Sequence, residues 1–358
     1  MKFMKNMNKT TKQNMVTYAM VIVAYLVLQT LSMTGSLSSL MQGLLVPLCT
    51  YSILAVSLNL TVGVLGELSL GHAGFMCIGA FSSAFFTACM KDIITNDLLR
   101  FIIALLISAV CAGIFGILIG IPVLRLRGDY LAIVTLAFGE IIKNIINAMY
   151  VGLDENGFHF SMKDSMSLNM TENGRIIIKG AQGITGTARQ SNFTIGIILL
   201  LLTLVIVLNL MNSRSGRAIM SIRDNRIAAE SVGIDITKYK IMAFAISASL
   251  AGLAGCLYAH NLSSLTALPK NFGYNMSIMI LVYVVLGGMA NMRGSIIAAV
   301  ALTMIPELLR GIGEYRMLIY AVIMIVMMIF NWSPKVKEWR EAHSLKGAFH
   351  KKNVKEAK

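Results

Sequence analysis

The sequence predicts an all-α integral membrane protein, a polytopic bundle of about ten transmembrane helices with a charged helical insert on its aqueous side. Three observations lead there. Of 358 residues, 56% are hydrophobic and only 13% charged, with mean hydropathy +0.72, whereas soluble domains carry about 25% charge. The apolar residues gather in ten runs, most of them near the roughly 20 residues that a helix needs to cross about 30 Å of hydrocarbon. The cations, in turn, concentrate between particular runs instead of spreading through the chain.

In order, the runs are Met15–Met33, Gln42–Val64, Ala73–Met90, Phe101–Ile121, Tyr130–Val151, Phe193–Met211, Ile241–His260, Met276–Ala290, Ser295–Arg310 and Met317–Trp332. The first follows a Lys-rich start, but it is long and no A-x-A cleavage pattern follows it, so it is expected to be a retained helix and not a secretory signal. The chain therefore divides into a basic N-terminus (1–14), a membrane domain (15–332) and a basic tail (333–358). Within the membrane domain, the polar connection 152–192 is long for a membrane hairpin. Its stretch 174–187, GRIIIKGAQGITGT, sets a β-prone Ile176–Ile178 before Gly180, Gly183 and Gly186 and predicts a small turn-rich cap. Such a cap is either a tolerated surface insertion or a docking surface for an extracellular partner.

Orientation follows from the cations. With ten spans and both termini inside, 21 of the 31 Lys and Arg residues fall on the inner side: the N-terminal lysines, Arg125 and Arg127, six in 214–240, Arg293 and eight in the tail. The positive-inside rule then places both termini in the cytoplasm and 152–192 outside. The net charge of +14 is mostly topology, and the tail is expected to meet solvent, lipid or a protein partner, with no nucleic acid.

Several chemistries are missing. There is no G-x-x-x-x-G-K-[ST] phosphate loop, no H-E-x-x-H and no G-x-S-x-G. His72, His159, His260, His343 and His350 are scattered, and Cys49, Cys77, Cys89, Cys111 and Cys256 lie inside the apolar runs without ligand spacing. No catalytic residue, metal site or cofactor is therefore expected on this chain, and energy must come from another subunit or from an ion gradient.

Three stretches carry candidate function. In residues 57–80, SLNLTVGVLGELSLGHAGFMCIGA, the apolar pattern is interrupted by Gly63, Gly66, Glu67, Ser69, Gly71, His72 and Gly74. A broken helix at membrane depth is tolerated only when buried in protein or lining a cavity. A carboxylate there costs about 2.5–3.5 kcal/mol and needs donors such as Ser69, His72 or free backbone N–H groups. The stretch is either part of the translocation route and its gate, or an interface where Glu67 serves as a helix-terminus anion. In the fifth run Glu140, Asn144 and Asn147 share one helical face, with Lys143 alongside. That stripe borders either the route or a neighbouring helix. Gly116, Gly120, Gly252 and Gly255 are expected to be packing positions.

The third stretch is 213–240, SRSGRAIMSIRDNRIAAESVGIDITKYK, a charged and roughly helical insert between two apolar runs. Ala228 and Ala229 precede Gly233 by four to five residues, flanked by Arg217, Arg223, Asp224 and Arg226. Small side chains permit close approach, and Gly233 ends the helix and turns the chain.

Together, GVLGELSLGHAGFMCIGA, RLRGDYLAIVTLAFGEIIKNI at 125–145 and GRAIMSIRDNRIAAESVGI at 216–234 resemble the permeases of branched-chain amino acid ABC importers. The match continues through 243–255 and 283–294, and covers most of residues 45–310 in the family's order. The LAIVTLAFGEI block and the long loop are more similar to the LivM-type subunit than to the shorter LivH-type. The resemblance implies that 212–240 forms a coupling helix lying across a groove in an ATPase subunit. It also implies that the chain is no enzyme itself, and that Mg-ATP is hydrolysed on two partner ATPase subunits. A second, LivH-type permease chain and an extracytoplasmic binding protein complete the assembly in the bacterial plasma membrane. In the general coupling pattern, Glu-Ala-Ala, three residues, Gly, Ile227 occupies the Glu position, and the usual downstream Pro is missing. Permeases of urea or short amides are a related alternative. An ion-coupled transporter using Glu67, Glu140 and His72, or an intramembrane transferase acting on lipid, is a more distant one.

Overall fold

The computed structural model describes residues 9–126, 128–155, 157–171 and 174–332. Residues 1–8, Arg127 and the basic tail expected at 333–358 lie outside that set. The chain separates into two compact units, 1–300 and 301–358, and the first holds every candidate site residue.

Each expected apolar run forms a helix. The first unit begins with α1 (Lys9–Met33), α2 (Ser39–Asn59), α3 (His72–Cys89), α4 (Asp97–Val123), α5 (Asp129–Ala148) and α6 (Phe193–Asn212). Two short helices follow, α7 (Arg214–Asp224) and α8 (Arg226–Ser231), then the long α9 (Ile236–Ala259). The chain continues through α10 (Pro269–Phe272), α11 (Tyr274–Gly287), α12 (Met292–Leu308), which runs into the second unit, and α13 (Arg316–Trp332). Among the described residues, seven helices, α1 to α6 and α9, are long and apolar enough to cross a membrane. The remaining three expected spans, α11, α12 and α13, have 14, 17 and 17 residues, short of the roughly 20 that an upright crossing needs. Ten crossings are thus not established, because glycine-rich turns at 287–288 and 311–313 cut the apolar pattern.

Local capping explains several helix starts. The Asn96 side chain accepts the Leu98 N–H (3.1 Å) at the head of α4, and Asp235 accepts the Lys238 N–H (3.0 Å) at the head of α9. Such caps satisfy donors that have no intrahelical partner.

The middle of the first unit is built from α2, α3 and α9. Their most apolar windows are 94%, 72% and 72% buried, against 11% for α1 and 33% for α4, so α1 and α4 are left with broad apolar faces for lipid. With no hydrophobic force between helices in lipid, close packing has to come from small residues. Gly79 of α3 faces Gly252 of α9, whose other side meets Ser108 and Ala112 of α4; Gly255 abuts the Met76 backbone, Gly116 meets Ala248, and Gly120 touches Phe244.

The connection 150–192 is folded. Strands β1 (Tyr150–Asp154), β2 (Gly157–Ser161) and β3 (Arg175–Lys179) form an antiparallel sheet in the order β2-β1-β3, with Val151 opposite Phe160 on one side and Ile178 on the other. The Ile176–Ile178 run falls in β3, as its β propensity predicts. A small ladder pairs β4 (Ile184–Thr185) with β5 (Ser264–Leu265), and the Gln190 amide donates to Asp97 (3.1 Å). The segments 90–97, 150–192 and 260–273 therefore share one end of the bundle. The opposite end collects 60–71, 212–236 and 288–294, together with the start of α1, where Arg293 donates to Thr17 (2.6 Å).

Gly252→Leu should prevent folding of the bundle, because even a Cβ there sits 2.6 Å from that of Ala112 and overpacking costs about 1–3 kcal/mol before larger atoms are placed. Gly43→Leu, where a Cβ meets nothing within 4 Å, is the control. The yield of monodisperse protein in detergent should fall for the first and hold for the second.

Candidate functional site

The site is assembled where α2 stops short. After Asn59 the helix widens into a π-helical turn over Leu60–Leu65, and Gly66 takes the left-handed conformation (φ 80°). The Thr61 carbonyl accepts from both Gly66 and Glu67 N–H groups. Gly66 is needed on two counts: an L side chain is strained at that φ, and a Cβ would run into the Arg223 stem. The chain then runs without regular structure to His72, where α3 begins.

Side chains from three other elements bond backbone groups that this break leaves open, and a fourth element supplies the partner of Glu67. Upstream, Asn59 donates to Ser295 Oγ (2.8 Å) and accepts from the Ala290 N–H (2.8 Å). Downstream, Thr135 Oγ1 accepts the Leu70 N–H (3.0 Å), and Ser277 Oγ accepts the Ala73 N–H (3.1 Å) at the uncapped head of α3. Between these anchors the Arg223 guanidinium donates to the Gly63 carbonyl (2.9 Å), and Lys240 forms an ion pair with Glu67. Asp224 accepts from Arg223 Nη2 (2.9 Å) and Nε (3.1 Å), which fixes the plane of the guanidinium.

The expected polar network is therefore corrected. Glu67, Ser69 and His72 are not mutual partners. Glu67 takes Lys240; His72 Nε2 lies 2.7 Å from Ser57 Oγ; and the buried Ser69 Oγ has no hydrogen-bond partner among the described residues. Closeness in sequence does not make them neighbours, because Glu67 reaches Lys240 of α9 and His72 reaches Ser57 of α2. The glycines serve as contact points. A Cβ at Gly63 would come within 2.9 Å of Ala290 Cα, one at Gly74 within 2.8 Å of Gly139 Cα, and one at Gly71 would strike the Thr135 carbonyl.

The α5 stripe also turns to protein. Glu140 is ion-paired with the buried Lys143 and accepts the Tyr274 N–H (2.8 Å), acting as a borrowed cap for α11, whose own N-cap is Gly273. Asn147 donates to the Ala267 carbonyl (2.9 Å), while Asn144 is exposed. The carboxylates of Glu67 and Glu140 are thus committed to separate partners, and with His72 they form no common ion site.

The insert 212–240 is a compact, self-folded hairpin of short helices. Ser213, Asn225 and Asp235 cap α7, α8 and α9 in succession, each worth about 1 kcal/mol. Arg217 donates to the Asn212 carbonyl (3.2 Å) at the end of α6. Gly233 is left-handed (φ 83°) and closes α8, with the Ile234 N–H reaching the Ala229 carbonyl (3.1 Å). Ala228 and Ala229 do not act as a pair: Ala229 is buried with Ile222 and Ile236, whereas Ala228 is exposed. What α8 and its end present instead is Ile227, 80% exposed, and Val232, 75% exposed.

Sequence patterns did not reveal Asn59, Ser295, Ala290 or Lys240. A lone Asn one turn before a glycine-rich break was the available sign, since an amide in an apolar helix needs partners; the partners, more than 170 positions away, left no local trace.

With this geometry, comparison with known proteins is decisive. The family model described as "Branched-chain amino acid transport system / permease component" matches residues 40–330. The chain belongs to that family. The high-affinity branched-chain amino acid transport system permease protein LivM of Salmonella typhimurium is 35% identical over 294 residues, 80% of this chain and 67% of the relative. A probable LivM of Methanocaldococcus jannaschii is 23% identical, covering 72% of this chain and 78% of its own. LivH of Salmonella typhimurium is 22% identical, covering 78% and 89%. No solved structure matches the chain. The permease is thus a multi-pass membrane subunit of a transport system.

Glu140→Gln keeps an acceptor for the Tyr274 N–H but leaves the buried Lys143 without its counter-charge, so the melting temperature should fall while uptake per folded transporter stays within about two-fold. A ten-fold loss of uptake with the fold intact would return the α5 stripe to the route.

Proposed function

We propose that this permease is the LivM-type membrane subunit of an ATP-driven importer that carries leucine, isoleucine, valine or a similar small apolar amino acid into the cytoplasm. The carrying observation is the pre-folded α7–α8 insert, which offers the apolar pair Ile227 and Val232 to water on a chain of this family. Solvent-exposed apolar side chains on a rigid charged element are what a protein partner buries. That partner is one of two ATPase subunits, which bind Mg-ATP; this chain needs no cofactor of its own. A LivH-type chain is the second permease, and an extracytoplasmic binding protein delivers substrate at the sheet end, where it selects the amino acid.

In this reading the α7–α8 end faces the cytoplasm and the 150–192 cap faces outside, in line with the distribution of Lys and Arg. ATP-driven closure of the ATPases pushes on α8 and shifts the helices between outward-open and inward-open arrangements.

Co-reconstitution with the three kinds of partner should give leucine uptake that needs ATP, and no uptake from an ion gradient by this chain alone. Ile227→Asp, fully outside the core, should release the ATPase subunit in pull-down without changing the melting temperature. Gly233→Ile should also release the ATPase subunit and abolish uptake, with a lowered melting temperature, because a β-branched residue at φ 83° costs about 1–3 kcal/mol and distorts the turn. Normal complex and uptake in both variants would remove the docking assignment.

Orientation has its own test. In a background without the five cysteines, a cysteine in 152–192 should react with an impermeant thiol reagent in intact cells, and one in 212–240 only after permeabilisation.

A further inference from the structure

We propose that Arg223 and Lys240 form a two-point linkage that carries movement of the α7–α8 insert into the broken segment 60–69, making that segment the element switched by the ATPases. The inference rests on the insert being the ATPase-docking element.

Three properties of the structure combine. The input is stiff: α7, α8 and the start of α9 are capped in series and share the small core of Ile222, Ala229 and Ile236, so a push on Ile227 moves the insert as a body. The output is able to change. A π-helical turn followed by a left-handed glycine is the least regular backbone in α2, and one such turn can pass into α-helix by a one-residue slip. The connection is specific. Segment 60–69 is anchored before it by Asn59 on Ala290 and Ser295, and after it by Leu70 on Thr135. Between those anchors the only side chains from other elements that hydrogen-bond or ion-pair with it, among the described residues, are Arg223 on the Gly63 carbonyl and Lys240 on Glu67. Arg223 sits two residues before the α8 cap Asn225, and Lys240 one turn into α9, so the two grips flank the docking helix in sequence and hold the segment on both sides of Gly66.

These are positioning residues, acting through the segment that they hold. Arg223 pulls on a carbonyl within the π-helical turn, and Lys240 holds the carboxylate just past it. Neither bond can follow the insert without dragging the segment, since Gly66 lies directly against the Arg223 stem.

The test uses the complete transporter in proteoliposomes, with leucine uptake and ATP hydrolysis measured on the same sample. Arg223→Ala should keep its ATPase subunits in size-exclusion chromatography yet transport at least ten-fold fewer molecules per ATP hydrolysed. Glu67→Lys and Lys240→Glu should each lower that ratio similarly, and the double exchange should restore it to within about three-fold, a recovery that a purely structural loss does not give. An unchanged ratio in Arg223→Ala, or a double exchange no better than its single variants, would overturn the linkage and leave the docking assignment standing. Loss of the ATPase from Arg223→Ala would also overturn it, by making Arg223 a docking contact. A wild-type chain that retains no ATPase would remove the docking reading itself.

Discussion

Everything at the α7–α8 end of the permease depends on one constraint: a helix that stops in apolar surroundings must hand its free backbone groups to other parts of the chain. An unpaired amide or carbonyl there costs several kcal/mol, and α2 leaves such groups at 60–73. The protein meets the demand in part with Thr135, Ser277 and Arg223, drawn from three elements, while Lys240 pairs with the Glu67 carboxylate beside them. The break therefore becomes the point where α5, α7, α9 and α11 are tied together. It can be kept only because Gly63, Gly71 and Gly74 let backbones approach where side chains would collide.

A similar economy shapes the insert. Ala229 belongs to the interior of the hairpin, so the small-residue motif of the family serves in part to fold the loop, and the surface is left to Ile227, Ala228 and Val232. With Ile at 227 the exposed face of α8 is apolar at that point, so the proposed docking contact there does not depend on salt.

Helix positions were legible because hydropathy reports directly on burial in lipid: the limits of α3, α5 and α6 fall within about three residues of the runs read from the sequence. The glycine-rich break, the β-prone run at 176–178 and the left-handed turn at Gly233 were legible for the same reason, since each rests on local backbone preference. Partner choice was not. Local sequence offers Glu67 the neighbours Ser69 and His72, yet its partner Lys240 lies 173 positions away. The stripe on α5 was legible as a face but not as a cap for α11, because the missing cap belongs to Gly273 and its need appears only once α11 is placed. The count of ten is not confirmed where length is marginal, at the 14 and 17 residues of α11 and α12.

The serial caps on α7, α8 and α9 bear on binding thermodynamics. A loop that orders only on contact gives up about 1–2 kcal/mol per residue in backbone entropy at that moment, and its affinity falls accordingly. Here that entropy is lost during folding of the permease, before any encounter. In the proposed docking, association through Ile227 and Val232 is then a rigid-body event with a small patch, which permits fast capture and fast release, and the work of each nucleotide cycle goes into displacement and not into repeated refolding of the contact.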